Sequence, residues 1–336
     1  MEDIKLIPLL DTLRLEKIDD SEYFSERYSG YISNSRLSKI DPNKGGSPEE
    51  FFGKMKPFYT PSLQIGSAVH ELTLQNDLFV LSEINKPTAK MGLLADKLYN
   101  LGYSPSKEEV LKAAKEVDYY KGNLSENQIE NVFNQCKQYW SERGDFEAQN
   151  SEAREVIYLD QKSREVVQNC VLALSNNSRV QEILHPKNIF GDDCISEMEQ
   201  AILIDIKVEM PDKNEFILRF KAKLDNYTID TISNEICVND VKTLGKVLNE
   251  FEGNIQRFSY NREIAIYSWL LSLCAKKYYN LNNPTIKGNY LVVSTIPKYY
   301  TKVVPMTNSM YIEGWNDFRR LLRIVAYYYN KGYRFE

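Results

Sequence analysis

The spacing of hydrophobic residues changes after residue 184 from a helical period to strict alternation. Before that point, residues 106–120 and 125–141 repeat apolar positions every three to four residues, and Ser106 with Glu109 forms a capping box that opens a helix. Residues 161–176 and 178–184 keep the helical period, and apolar and polar residues then alternate over 201–208 and 215–227. The chain therefore predicts helices first and a sheet afterwards.

The C-terminal half predicts one sheet with covering helices. Residues 211–214 form a turn between the first two strands, a third strand covers 235–242, and two short strands cover 289–294 and 299–304. Long helices are predicted over 248–277 and 309–330. This order is typical of an α/β or α+β fold, with a central mixed sheet flanked by helices.

The first 85 residues are rich in loops. A turn cluster lies at 41–48, residues 32–38 predict a short strand or loop that leads into a helix capped by Ser33 or Ser35, and 66–74 predicts a helix capped near Ser67. Residues 86–160 are charged and helical, so we interpret them as an insertion or cover. Residues 1–85 and 161–336 are then the two parts of one core domain.

Composition excludes several classes of protein. The 336 residues are 43% hydrophobic and 26% charged, without the run of about 20 apolar residues that a membrane span needs. The first residues do not resemble a secretory leader, so we expect a cytoplasmic protein without membrane partners. Glycine-rich phosphate loops and a Gly-x-Ser-x-Gly elbow are absent, the five cysteines are too scattered for a zinc site, and two histidines exclude a three-histidine site.

Charge is distributed unevenly along the chain. The net charge is −5, yet residues 276–336 carry ten basic and three acidic side chains, a local balance of +7. Such asymmetry is compatible with a polyanion site and equally with a solvated helix face and a basic end.

Carboxylates and lysines share one face of the predicted sheet. In the strand 215–227 one face is apolar, and the other carries Ile217, Arg219, Lys221, Lys223 and Asp225. Asp240 and Lys242, two residues apart, share a face of the next strand. Paired carboxylates on neighbouring strands suit Mg²⁺ or Mn²⁺, and a lysine beside them can orient or deprotonate water. A solvated strand face would show much the same pattern, so both interpretations stay open.

Four segments resemble a known nuclease group. The runs 220–225 and 236–243 resemble the Asp…Asp-x-Lys core of the PD-(D/E)XK nuclease superfamily, and 66–72 is similar to the Gly-x-x-x-His helix of its exonuclease VIII (RecE-like) and RecB-like members. Residues 31–37 resemble the Tyr-x-Ser-x-Ser segment of the exonuclease VIII group. The resemblance covers most of the chain outside 86–160.

The resemblance implies roles for individual residues. His70, Asp225 and Asp240 would bind one or two Mg²⁺ or Mn²⁺ ions with help from the Val241 carbonyl, and Lys242 would activate water. The family's Gln-x-x-x-Tyr motif corresponds to Glu263 with Tyr267, which we favour, or to Gln256 with Tyr260; on one continuous helix all four would face the same way.

Further residues are candidates for DNA contacts or for an additional ligand. The expected DNA-binding residues are Ser33, Ser35, Arg36, Arg219, Lys221 and Lys223, although a helix cap explains the two serines equally well. Glu197 or Glu199 is a weaker candidate for a further carboxylate ligand, and His185 is expected to be structural.

The resemblance also implies a function. The expected activity is that of a Mg²⁺-dependent exodeoxyribonuclease that degrades linear duplex DNA from its ends, 5′ to 3′. Its expected setting is phage or prophage recombination and repair, beside a single-strand annealing protein, as a homo-oligomeric ring of three or four copies. The alternatives are a structure-specific or single-strand endonuclease of the same fold and a catalytically idle DNA-binding or assembly module.

Overall fold

The computed structural model describes residues 4–54, 60–102, 105–149, 154–186 and 194–335. The chain divides into two compact units: Met1–Phe58 with Ala173–Glu336, and Tyr59–Leu172. The predicted boundaries lay at residues 85 and 160, so the helix that carries His70 falls within the second unit here.

The described residues contain nine strands and twelve α-helices. The strands are β1 (Lys5–Pro8), β2 (Arg14–Lys17), β3 (Phe79–Leu81), β4 (Glu155–Ile157), β5 (Cys194–Glu209), β6 (Glu215–Asp230), β7 (Glu235–Leu244), β8 (Thr285–Ser294) and β9 (Thr301–Pro305). The helices are α1 (Asp20–Tyr23), α2 (Asn34–Leu37), α3 (Pro48–Phe52), α4 (Pro61–Leu74), α5 (Ala89–Leu101), α6 (Lys107–Glu116), α7 (Glu126–Gln149), α8 (Gln161–Ser175), α9 (Ser178–Leu184), α10 (Phe251–Phe258), α11 (Tyr260–Tyr279) and α12 (Asn308–Asn330).

The first unit is built on a seven-stranded mixed sheet. Its order is β1-β5-β6-β7-β8-β9, and β2 pairs with β5 further along the same edge as β1. All pairs are antiparallel except β7 and β8, which run parallel and are joined through α10 and α11. The mixed sheet flanked by helices confirms the predicted fold class.

Helices α11 and α12 cover one face of this sheet. Ile264 and Leu271 of α11 and Phe318 and Val325 of α12 pack with apolar side chains of β5 to β8 in one core. Alternation along β5 turns Ala201 to the other face, where it packs with Leu203, Ile18, Tyr23 and Tyr28. The N-terminal segment therefore covers the face that carries the predicted lysines.

The second unit has its own core. Helices α5, α6 and α7 contribute buried side chains such as Leu98, Val110 and Val132, and the short parallel pair β3-β4 completes the unit. Tyr139 donates a hydrogen bond to Asp96 over 2.6 Å. The predicted capping box at Ser106 is present at the start of α6.

Two predicted helix boundaries are wrong. Helix α4 begins at Pro61, six residues before Ser67, because Thr60 accepts the Leu63 N–H and proline suits the first helical position. The predicted helix 248–277 is two helices that meet at Ser259. No helix among the described residues is both long enough and apolar enough to cross a membrane.

Candidate active site

Two carboxylates lie where strands β6 and β7 separate. The pairing of β6 with β7 runs from Asp230 to Asn226, and Asp225 and Asp240 are the next positions outward on the two strands. Asp225 reaches across and accepts the Val241 N–H over 2.7 Å. Asp240, 3% exposed, continues in β7 beside β8. The register therefore brings together the pair that the sequence predicted.

Lys242 lies between a strand carboxylate and a helix carboxylate. Its Nζ is 2.8 Å from Asp240 Oδ2 and 3.0 Å from Glu263 Oε2 of α11. The same ammonium lies 4.8 Å from the ring centroid of Tyr260, and Tyr267 donates to Glu263 over 3.4 Å. Glu263 and Tyr260 thus contact Lys242 from the helix, and Tyr267 contacts Glu263.

The break at Ser259 separates Gln256 from the other residues of the two motif alignments. Ser259 has a φ of +59°, a left-handed conformation that ends α10 before α11 begins. Gln256 consequently does not share the stripe of Glu263; its amide donates to Glu313 over 3.3 Å at an exposed position. The expectation that all four motif residues face the same way is wrong, and Glu263 is the residue that contacts Lys242.

Glu199 adds a third carboxylate to the strand side of the site. The register of β5 with β6 places Glu199 opposite Asp225, between the pairs Met198↔Asn226 and Gln200↔Leu224. Its φ of +54° is left-handed, which costs about 1–2 kcal/mol for a non-glycine residue and interrupts the ladder there. Carboxylate oxygens of Glu199 and Asp225 lie within 4.8 Å of each other. Sequence reasoning gave Glu199 little weight, because nothing in the sequence marks a left-handed residue inside a strand.

Burial and neighbouring charges shift the pKa values of the site residues. Burial and the neighbouring carboxylates raise the pKa of Asp225, and burial and Asp225 raise the pKa of Asp240, while Lys242 opposes both shifts. Burial alone would lower the pKa of Lys242, but Asp240, Glu263 and Asp225 raise it well above its usual value. Lys242 is therefore a protonated donor that can orient water or a phosphate oxygen.

The donor set fits a hard divalent cation. Glu199, Asp225 and Asp240 supply carboxylate oxygens of the type that Mg²⁺ and Mn²⁺ bind. Asp240 Oδ2 is buried and accepts no well-aligned hydrogen bond from the described residues, although Lys242 is close to it. The predicted role of the Val241 carbonyl stays a prediction. His70 belongs to α4 of the second unit, so its role as a ligand also stays a prediction.

An amide ladder supports the two strands behind the carboxylates. Asn239 donates to Asn226 over 2.7 Å, Asn289 donates to Asn239 over 2.8 Å, and Asn226 donates to Ser196 over 3.1 Å. Asn226 and Asn239 are fully or almost fully buried. Each directly adjoins a site carboxylate in sequence, so the ladder fixes the register on which the site depends.

Most of the predicted DNA-binding residues have internal partners. Ser33 caps α2 by accepting the Arg36 N–H, as the helix-cap alternative predicted. Arg36 donates to the carbonyls of Phe51, Ser29 and Gly53. The sequence therefore predicted the start of α2 correctly. Arg36 stabilises the local fold through its three hydrogen bonds to backbone carbonyls.

The three cations of β6 differ in exposure. Lys221 is buried, donates to the Tyr23 carbonyl over 2.6 Å, and has its pKa lowered to about 8 by burial. Lys223 is paired with Asp20 and, at 3.0 Å, with Glu199. Arg219 is exposed, with its guanidinium 5.9 Å from the centroid of the Tyr31 ring. Lys221, an expected DNA-binding residue, is thus covered by the N-terminal segment, and the alternative of a solvated strand face is wrong for it.

A pocket of about 410 Å³ opens beside these residues in the first unit. Its lining includes Ser33, Ser35, Arg36 and Lys221 together with aromatic residues such as Tyr31. Basic side chains of the C-terminal segment, by contrast, have acidic partners from elsewhere: Lys287 pairs with Glu235, Lys302 with Glu252, and Arg320 with Asp41. Local pairing thus offsets part of the +7 balance.

Comparisons with known proteins give little further information. No family model matches the chain, and no curated protein matches it. Among solved structures, one from Eubacterium rectale described as a "Putative exonuclease" aligns with 92% of this chain and 86% of its own, at 10% identity and a TM-score of 0.44. Because that similarity is too low to carry an argument, any assignment of function depends on the site itself.

Proposed function

We propose that this chain is a metal-dependent deoxyribonuclease of the PD-(D/E)XK type. The observation that carries the proposal is the position of Lys242 between Asp240 and Glu263, with Asp225 on the adjacent strand. The arrangement combines two strand carboxylates, a protonated lysine and a helix carboxylate that holds the lysine. Such a set suits the hydrolysis of a phosphodiester by water.

Each residue has a role that follows from its contacts. Asp225, Asp240 and Glu199 would hold Mg²⁺ or Mn²⁺, which when bound lowers the pKa of water and stabilises charge on the phosphate. Lys242 donates toward the attacking water or a non-bridging phosphate oxygen, and Glu263 fixes the direction of that donation. Tyr267 in turn donates to Glu263. His70 is proposed as a further ligand on the resemblance alone.

The finer proposal is an exonuclease acting 5′ to 3′ on linear duplex DNA. Its support is the resemblance of residues 31–37 and 66–72 to the exonuclease VIII group, together with the pocket beside Ser33 and Ser35. A recombination role with a single-strand annealing protein, and a ring of three or four copies, belong to the same proposal.

One set of nuclease assays tests the activity. We expect the purified protein with Mg²⁺ or Mn²⁺ to degrade linear duplex DNA and to spare covalently closed circles. Asp240→Asn should lower the rate by at least about 10³-fold, because it removes a charged ligand from the site. Glu235→Gln on the same strand, whose partner is Lys287, is the matched control and should keep the wild-type rate. Wild-type cleavage by Asp240→Asn would place the site elsewhere.

A second set of assays tests end dependence and polarity. Duplexes labelled at one end and carrying a 5′-phosphate, a 5′-hydroxyl or a nick separate the alternatives. Release of the 5′ label first supports the proposed direction. Cleavage of closed circles would contradict strict end dependence and favour the endonuclease alternative.

A further inference from the structure

Arg262 is a buried arginine directly before the glutamate that holds Lys242. None of its side chain is exposed. Its Nε donates to Asn34 Oδ1 over 2.8 Å, one terminal nitrogen donates to Ser38 over 2.6 Å, and the other lies 2.9 Å from an Asp317 oxygen. A guanidinium with partners in three directions is held in one orientation, because every shift lengthens one of these bonds.

These partners belong to separate elements of the first unit. Asn34 and Ser38 lie at the two ends of α2, which also carries Ser35 and Arg36 at the pocket, whereas Asp317 lies on α12. Arg262 itself is in the first turn of α11. One side chain therefore joins the pocket segment, the C-terminal helix and the helix that carries Glu263.

A second contact holds the start of α11 to the same N-terminal segment. Lys44 donates to the Ser259 hydroxyl and, over 3.0 Å, to the Arg257 carbonyl. Helix α11 therefore has fixed points just before and just after Tyr260. This leaves Glu263 little freedom to move relative to α2.

We propose that Arg262 is a positioning residue that sets the place of Glu263, and through it the Lys242 ammonium, relative to α2. The inference rests on the proposed nuclease function and adds a residue that does not itself touch the reacting atoms. Its physical basis is that Glu263 binds Lys242 at 3.0 Å, so that a shift of α11 changes this distance directly. Arg262 thereby links the segment at the pocket to the group that orients water.

A double-mutant cycle tests this link. Arg262→Lys keeps the charge near Asp317 but loses the fork to Asn34 and Ser38, and Glu263→Gln weakens the hold on Lys242. We expect Arg262→Lys to lower kcat on linear duplex DNA about 10-fold with KM within about 2-fold. Because both changes act through Lys242, the double variant should be no more than about 2-fold slower than Glu263→Gln alone. A purely structural role would make the two losses multiply.

Arg320→Gln is the matched control. Arg320 binds the same Asp317 and also Asp41, but it lies on α12 and not beside Glu263. With all variants assayed well below their melting temperatures, Arg320→Gln should keep kcat within about 2-fold of wild type. An equal loss of kcat in Arg320→Gln, or multiplied losses in the double variant, would overturn the inference.

Titration with Mn²⁺ gives a reading that does not depend on cleavage. Lys242 competes with a cation for Asp240, so displacing Glu263 changes the Mn²⁺ dissociation constant measured by calorimetry. Non-additive changes among the four proteins of the cycle support the inference, and additive changes overturn it. Failure of the wild type to cleave any DNA would instead reject the proposed function.

Discussion

Gly314 lies at a close backbone contact between helices α11 and α12. A Cβ built on Gly314 would be 2.0 Å from the Asn261 carbonyl oxygen and 2.9 Å from the Arg262 nitrogen. Both are backbone atoms of α11, which cannot rotate away as a side chain can. Since such contacts are not tolerated below about 3 Å, Gly314→Ala must separate the two helices by about 1 Å.

The size of the effect follows from two opposing contributions. Forcing the helices apart costs about 1–3 kcal/mol or more, as for other overpacked interiors. Replacing glycine by alanine inside a helix returns about 0.5–1 kcal/mol. We therefore expect Gly314→Ala to lower the free energy of unfolding by about 1–2 kcal/mol, and the melting temperature by about 2–8 °C.

Urea unfolding of a pair of glycine variants checks this reasoning. Gly253 lies inside α10 with nothing within 4 Å of its would-be Cβ, so Gly253→Ala should raise the free energy of unfolding by about 0.5–1 kcal/mol. The two substitutions are chemically identical and should change the free energy of unfolding in opposite directions. A Gly314→Ala protein as stable as wild type would refute the close contact between α11 and α12.

Three further substitutions have expected outcomes. Mn²⁺ at 100 times its dissociation constant should stabilise wild type by about 3 kcal/mol in thermal melts, and Asp240→Asn should lose most of this gain; equal stabilisation of both would contradict the ligand role. Lys221→Met removes an amine whose pKa is about 8 in the folded protein and 10.5 in the unfolded chain. Between pH 8 and 10.5 the unfolded chain therefore keeps a proton on Lys221 that the folded protein has lost. The free energy of unfolding of the wild type should therefore rise by up to about 3 kcal/mol relative to that of Lys221→Met as the pH rises from 8 to 10.5. A difference in urea midpoints that stays constant over this range would disprove the lowered pKa of Lys221. Ser33→Ala should lower the free energy of unfolding in urea by about 1 kcal/mol because α2 loses its N-cap. An unchanged free energy would show that the cap contributes nothing to stability.

The strands of the C-terminal half could be predicted because their alternation is strong. Predicted strands 201–208, 215–227 and 235–242 fall within β5, β6 and β7. The short edge strands β1 and β2 could not be predicted, since four residues carry almost no periodic signal and their partner β5 lies nearly 200 residues away. Tertiary pairing, not local pattern, makes them strands.

The core of the candidate site could be predicted for the same reason. Alternation alone places Asp240 with Lys242 on one face, whereas Asp225, expected at the end of a strand, lies inside β6. Glu199 depends on a left-handed residue within β5, and Arg262 on partners 228 residues away, neither of which leaves a local trace in the sequence. The break at Ser259 was missed because the apolar period continues on both sides of it.

The division of the chain into units has a consequence for its synthesis. Residues Tyr59–Leu172 form a contiguous unit, whereas β1 and β2 are made first and pair only with β5, where Lys5 lies opposite Glu209. On the ribosome the middle of the chain is therefore complete before the sheet can begin, and the N-terminal strands wait without a partner. A nascent chain halted before β5 leaves the ribosome would expose them to chaperones and proteases while its central unit is already whole.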